Sequence, residues 1–240
     1  MKSDVLEILE WDSRFFGYRV GRILLESGGD EILDTLRIRI EKEKIKLLYI
    51  FVRPSLQGLN NQLEELGCAL VDQKVVYVKA TELHTEFSNK VIEYQGDTVN
   101  EQLKELVLSA GTYSRFRLDP NFRNGEYAKL YHEWLLKSIN KSIAFTTLVA
   151  LKGTDIIGIT TLGGDSSHAD IGLVAVHDNY KGQGIGYDLM RTADSIAFKK
   201  GFKELRVVTQ MKNTGACKLY EKCNFHVDAI TNVYHYWNSR

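Results

Sequence analysis

Apolar and polar positions follow two periods along this chain, which divide it into short strands and amphipathic helices. Runs at Val5–Leu9, Arg19–Leu25, LLYIFV (47–52) and KVVYVKA (74–80) predict strands. Between them, Ile32, Leu33, Leu36, Ile40 and Ile45 recur at helical spacing and predict a helix over 30–46. A second helix over Leu59–Leu66 stops at Gly67, the residue best suited to a left-handed helix end. Trp11, Phe15, Phe16 and Tyr18 crowd a turn ending at Gly17 and predict a satellite hydrophobic cluster. Residues 81–98 read as a polar connection, 98–110 as a helix, and GTYSRFRLDPNF (111–122) as a loop dense in aromatic and basic residues. A helix over Tyr127–Ile139 precedes three strands, 142–151, 155–164 and 170–176, the first two joined by the hairpin-like Lys152-Gly153-Thr154. A helix (187–200), a strand (204–210), a helix (214–222) stopping at Asn224, and a strand (232–237) complete the order.

The two ends of the chain repeat this order. Shifted by about 157 positions, LLYIFV lies on LRVVTQ, LEELGC (63–68) on YEKCNF (220–225), and VVYV on VYHY. Pattern and loop lengths agree over about 45 residues although identities are few, which implies a degenerate internal duplication. Leu63 stands where the C-terminal copy has Tyr220, and the N-terminal copy has no glycine-rich loop. Two domains are therefore expected, a degenerate one over 1–82 and a functional one over 83–240.

Composition narrows the class. A chain of 240 residues with 44% hydrophobic content can bury a real core, as one large domain or two small ones. Lys+Arg and Asp+Glu balance at 31 each, so no global field favours nucleic acid or an anionic membrane. No apolar run reaches the roughly 18 residues of a spanning helix, and the N-terminus lacks the apolar core of a signal peptide. Cys68, Cys217 and Cys223 are odd in number, scattered and without zinc-site spacing, so no metal is expected and they read as reduced thiols in a cytoplasmic protein.

The chemistry concentrates in DIGLVAVHDNYKGQGIGYDLM (170–190), where a strand, a polar corner and Gly182, Gly184 and Gly186 lead into a helix. Such a loop can take backbone angles that other residues avoid, and its N–H groups join those of the helix N-terminus as an anion site for a phosphate or pyrophosphate. A P-loop would need Gly-Lys-Ser/Thr, but Tyr187-Asp188 follows Gly186, and too little chain remains for a dinucleotide-binding domain.

The order of elements and two motifs resemble the GCN5-related N-acetyltransferase (GNAT) superfamily over about residues 90–240. The signature Gln/Arg-x-x-Gly-x-Gly/Ala is matched by Lys181-Gly182-Gln183-Gly184-Ile185-Gly186, with Lys181 replacing the usual first residue. An Asn, an apolar helix with a Tyr and a Gly-Phe stop are matched by Asn213, Tyr220 and Asn224-Phe225, with Asn224 in place of Gly. The resemblance implies an α/β fold with a mixed sheet, the acyl-CoA acyltransferase fold, preceded here by a degenerate half-copy. It implies acetyl-CoA as co-substrate, held by Lys181 to Gly186, Asn213 and the strand Leu173, Val174, Ala175 and Val176. A backbone N–H of Val174 or Val176 would polarise the thioester carbonyl. Tyr220 is implied as the general acid that protonates the leaving thiolate. Asp170 opens its strand where some members carry a glutamate base; His168 and a chain of water are rivals for that role.

WDSRFFG and YSRFRLDPNF ahead of Tyr131-His132-Glu133-Trp134 resemble a branch of the superfamily that acetylates dTDP-linked 4-amino-4,6-dideoxyhexoses for surface polysaccharide synthesis. In that reading Arg115 and Arg117 grip the nucleotide diphosphate, and Tyr113, Phe116 or Phe122 stack on thymine or sugar. A protein N-terminus, an aminoglycoside or another small amine remains an alternative acceptor, and a non-catalytic CoA-binding protein a third reading. Transfer through Cys217 or Cys223 is disfavoured because neither has a His partner in its motif. A homodimer is left open.

Overall fold

The computed structural model describes residues 5–27, 30–84 and 90–238, with the side chains of 30–32 left out. The expected inward position of Ile32, part of the polar connection (85–89) and the first four residues lie outside the described residues. In chain order the elements begin with β1 (Glu7–Ile8), α1 (Glu10–Phe16), β2 (Val20–Leu25), α2 (Asp30–Lys42), β3 (Leu47–Val52), α3 (Gln57–Glu65) and β4 (Ala69–Ala80). After β5 (Val91–Glu93) come α4 (Glu101–Ala110), α5 (Arg115–Leu118), α6 (Glu126–Ile139), β6 (Thr146–Lys152), β7 (Asp155–Gly164) and β8 (Ala169–Val176). The remainder is α7 (Ile185–Lys199), β9 (Glu204–Gln210), α8 (Thr214–Lys222) and β10 (His226–Trp237).

These elements form two compact units, Met1–Lys74 with Ile230–Arg240, and Val75–Ala229. The grouping departs from the linear 1–82/83–240 division. The end of β10 pairs antiparallel with β3, Asn232–Trp237 against Val52–Leu47, so the last strand completes the first unit. Alternation marks a strand but not its neighbour, so this exchange left no trace in the apolar pattern.

In the first unit β2 and β3 run parallel and pair at six positions, from Val20↔Leu47 to Leu25↔Val52. Leu33, Leu36 and Ile40 of α2 and Leu59 and Leu63 of α3 pack with Ile23, Leu48 and Ile50 of the sheet. The buried Asn60 of α3 is satisfied on both sides. Its Nδ2 donates to the Leu56 carbonyl at 2.7 Å, and its Oδ1 accepts from Asn232 Nδ2 at 2.8 Å and Tyr234 OH at 2.9 Å.

In the second unit the strand order is β4–β9–β8–β7–β6–β5. From β5 to β8 neighbours are antiparallel, and β8 with β9 is parallel. Leu103, Leu106 and Val107 of α4 and Leu135 and Ile139 of α6 bury against Val149, Ile159, Leu173 and Ala175. Gly158 of β7 admits α7 closely, because a Cβ there would lie 3.1 Å from Leu189 and 3.2 Å from Ile185.

Bounds shift in four elements, with α2 ending at Lys42, β6 starting at Thr146, and β4 and β10 starting early at Ala69 and His226, and three stretches change in kind. Residues 10–16 form a helix, closed by Gly17 in the left-handed region at φ 77°. The connection 81–98 contains β5, paired with β6. The expected loop 111–122 folds into a 3-10 turn (Gly111–Tyr113) and α5, whose N-terminus is capped by the Ser114 hydroxyl accepting the Phe116 N–H.

The internal repeat is visible in the backbone. The series β3–α3–β4 and β9–α8–β10 match element for element, and both helices end the same way. Gly67 (φ 79°) and Asn224 (φ 65°) occupy left-handed positions 157 residues apart. At one end Cys68 N–H bonds Leu63 O and Gly67 N–H bonds Glu64 O; at the other Phe225 N–H bonds Tyr220 O and Asn224 N–H bonds Glu221 O.

Candidate active site

Gly182 and Gly184 have φ of 77° and 83°, and nothing lies within 4 Å of a Cβ built on either. Backbone angle rather than crowding selects glycine there, and the surface beside the loop is open. Gly184 is the N-cap of α7 and no side chain caps that end. The first backbone bond into the helix is Asp188 N–H to Gly184 O at 3.0 Å. The amides of Ile185, Gly186 and Tyr187 precede it and have no intrahelical acceptor, as an anion site requires. Gly186 serves packing, since a Cβ would come within 3.1 Å of Leu219 and 3.7 Å of Val176. Around the loop, Lys181 pairs with Asp178, whose carboxyl it holds below the usual range, and Gln183 Nε2 donates to Asn179 O.

Strand β8 separates from β9 just before this loop. The parallel ladder has three pairs, Ala169↔Leu205, Asp170↔Arg206 and Ile171↔Val207, although both strands continue beyond it. On its other edge β8 bulges. Thr160↔Val174 and Leu162↔Ile171 leave Thr161 opposite both Gly172 and Leu173, and the Thr161 hydroxyl accepts the Leu173 N–H at 2.9 Å. The His177 N–H also points to β7, bonding Ile157 O at 2.9 Å. Alternate residues of a strand direct their backbone groups to opposite edges, so Leu173 and Ala175 are engaged with β7. Val174 and Val176 turn their N–H and C=O groups toward the opening with β9. Of the four strand residues expected to bind the coenzyme, Leu173 and Ala175 thus have their backbone groups committed and their side chains in the α4–α6 core.

Tyr220 lies on α8, 4% exposed, with its ring 5.6 Å from Tyr77 and 6.1 Å from Phe225. Burial, with the Cys217 and Cys223 thiols nearby, pushes its phenol well above the ordinary value, so it holds its proton at neutral pH. Asn213 is the N-cap of α8, its side-chain oxygen accepting the Ala216 N–H at 3.2 Å. The three cysteines are free and buried, and burial pushes the Cys223 thiol up to about 11. Such a thiol is not a ready nucleophile.

Asp170 is half exposed. Its Oδ2 lies 3.1 Å from His168 Nε2 and its Oδ1 3.8 Å from Arg206 Nε. The two rivals for the base are therefore in contact.

Residues 110–225, from the end of α4 to the stop of α8, match the model of the Acetyltransferase (GNAT) family. The chain carries a GNAT acetyltransferase domain. It is 26% identical over 234 residues to the dTDP-fucosamine acetyltransferase of Escherichia coli, covering 97% of this chain and 96% of that protein. It is 25% identical over 142 residues to the spore coat polysaccharide biosynthesis protein SpsD of Bacillus subtilis, covering 59% of this chain and 48% of that protein. A GCN5-related N-acetyltransferase from Sphaerobacter thermophilus shares the fold with a TM-score of 0.60 at 15% identity, over 97% of this chain and 76% of that one.

The remaining expected residues sit at the α4–α6 end of the GNAT domain. Tyr113 is 40% exposed. The Arg115 guanidinium lies 4.7 Å from the centre of the Phe116 ring, and that of Arg117 5.5 Å from the Tyr127 ring. Phe116 is buried between Phe122 at 5.5 Å and Trp134 at 6.3 Å. Phe116 and Phe122 thus form a packed pair beside α6.

Sequence reasoning missed the Thr161 hydroxyl and the bulge. An isolated glycine within a strand pattern, Gly172, was the available signal. It also missed an ion-pair cluster in the same unit. Asp194 of α7, 2% exposed, accepts from Lys79 Nζ at 2.7 Å and lies 2.8 Å from His84 Nε2. With Glu82 these side chains have the spacing of a metal site, but the buried Lys79 ammonium already supplies the cation between the carboxylates.

Proposed function

We propose that this acetyltransferase moves an acetyl group from acetyl-CoA to the amino group of a nucleotide-linked amino-deoxy sugar, of the dTDP-4-amino-4,6-dideoxyhexose class. One observation carries the reading of coenzyme use. The opening between β8 and β9, with Val174 and Val176 facing it, leads directly to the uncapped N-terminus of α7. An extended arm with two amide groups fits the first feature as an added strand would, and a pyrophosphate fits the second. Likeness along nearly the whole chain to a dTDP-fucosamine acetyltransferase supports the acceptor class.

The bound coenzyme supplies an acetyl group activated as a thioester. In this reading the amides of 182–187 hold its phosphates, with Lys181 and Gln183 at the rim and Asn213 at the head of α8. The Val174 or Val176 N–H donates to the thioester carbonyl oxygen and stabilises the charge that develops there. Tyr220, kept protonated by burial, donates to the departing sulfur. Transfer is direct in this reading: neither Cys217 nor Cys223 has a His partner in its motif, and burial keeps the Cys223 thiol protonated. Arg115 and Arg117 take the acceptor's diphosphate, and Tyr113 and Phe122 border its base or sugar.

Thiol release from acetyl-CoA, measured against dTDP- and UDP-amino sugars, N-terminal peptides and aminoglycosides, tests this. Turnover highest with a dTDP-4-amino sugar is expected. Preference for a peptide or aminoglycoside replaces the acceptor class, and CoA binding without turnover of any amine makes the protein a binding module.

A further inference from the structure

Asp170 and His168 are joined into a longer chain of groups at the turn between β7 and β8. His168, with its side chain 13% exposed, has both ring nitrogens engaged. Nε2 faces Asp170 Oδ2 at 3.1 Å, and Nδ1 lies 2.6 Å from Ser167 Oγ. Ser167 Oγ also lies 2.6 Å from Asp165 Oδ1, which accepts the backbone N–H groups of Ser167 and His168 as well. Those bonds, the Ser167 hydroxyl foremost, hold the Asp165 carboxyl down to about 2, so it is an ionised acceptor.

Donor counting then settles the protons. A serine hydroxyl has one hydrogen. Facing an ionised carboxylate, Ser167 gives it to Asp165 and leaves only a lone pair for His168, so Nδ1 must carry a proton. Nε2 faces Asp170 Oδ2, and the exchangeable proton of the pair lies between them: present, it bridges the two atoms, and once it has left, the pair has room to take one. Further charge on the pair comes from Arg206 of β9, 3.8 Å from the other Asp170 oxygen.

We propose that His168 and Asp170 act as one proton acceptor for the acceptor amine, with His168 the store and Asp165–Ser167 the device that fixes its tautomer. The inference rests on the acetyltransferase reading above. An amine arriving as R–NH3+ gives one proton to Asp170, which passes it to His168 Nε2, and its nitrogen lone pair forms the new C–N bond. As the C–S bond breaks, its electron pair goes to sulfur, which takes the Tyr220 proton. The amine nitrogen loses a second proton, which restores the phenol. The products are R–NH–COCH3, the free thiol and one proton, released from His168 to solvent. His168 and Ser167 are positioning residues in this scheme, acting through Asp170.

The test has two arms. In the free protein, 15N NMR of the imidazoles should show His168 Nδ1 protonated throughout its titration, with Nε2 as the titrating atom. Ser167→Ala should lose that tautomer preference. A neutral His168 protonated on Nε2 overturns the proposal whether or not an acceptor is known. In turnover with the best dTDP-amino sugar, His168→Gln should lower kcat/KM at neutral pH by about 10²-fold. It should also remove the imidazole limb from the pH profile, with CoA affinity and unfolding midpoint unchanged. A wild-type profile in His168→Gln overturns the proposal and leaves the acetyltransferase reading standing. Absence of turnover in the wild type with every amine overturns both.

Discussion

Tyr220 combines two properties that seldom coincide on a surface helix: it is buried, and its hydroxyl makes no hydrogen bond among the described residues. Tyr220→Phe should therefore lower kcat about 10²-fold while the dissociation constant for CoA, measured by calorimetry, stays within error. Burial raises the phenols of Tyr77 and Tyr220 beyond the ordinary range and that of Tyr234 to about 12. A group with a raised folded value contributes stability that is complete below the unfolded value, near 10, and is lost as pH rises through the folded one. Urea midpoints should accordingly fall above about pH 10, and less steeply in Tyr220→Phe. Cys223 gives the opposite test. With its thiol pushed up to about 11, Cys223→Ala should retain thiol-release activity once its folding is verified, and loss of activity in a folded variant would restore an acyl-enzyme route.

The β8 bulge shows how one side chain can maintain an element. Thr161 is 2% exposed and its hydroxyl accepts the Leu173 N–H, which has no ladder partner there. Thr161→Val keeps the shape and strands a buried donor, so about 1–3 kcal/mol of stability should be lost in denaturant titration. Amide exchange should quicken at Leu173 first. Such elements divide what the sequence made readable from what it did not. Strand β7, strand β9 and α8 begin and end where the apolar pattern puts them, because β7 is buried throughout and β9 and α8 each bury one face. The glycine loop was legible for another reason, as a positive φ selects residue type directly. The first halves of β4 and β10 are exposed or half-buried and mix apolar with polar residues; backbone pairing maintains them, and pairing leaves no composition signal. Folding of 111–122 depends on a Ser114 cap that resembles any loop serine. The parting of β8 from β9 is a matter of missing partners, which no residue of either strand announces.

At the scale of the molecule the two repeats diverge in one respect above others. Strands β2 and β3 pair at six positions, whereas β8 and β9, their counterparts, pair at three. A closed ladder has no opening for a coenzyme arm, which supports the reading of the N-terminal copy as framework. The end of β10 belongs to that framework. A chain ending at Ala229 should lose protection at the amides of Leu47–Val52 in hydrogen exchange while those of β7 stay protected, since Asn232–Trp237 are the antiparallel partners of β3. The same pairing dictates the schedule of biosynthesis. Val52 waits about 180 positions for Asn232, on the order of 10–40 s at ribosomal rates of roughly 5–20 residues per second. Through that interval β3 lacks this partner, so the half of the polypeptide translated first is the half more open to edge-to-edge association.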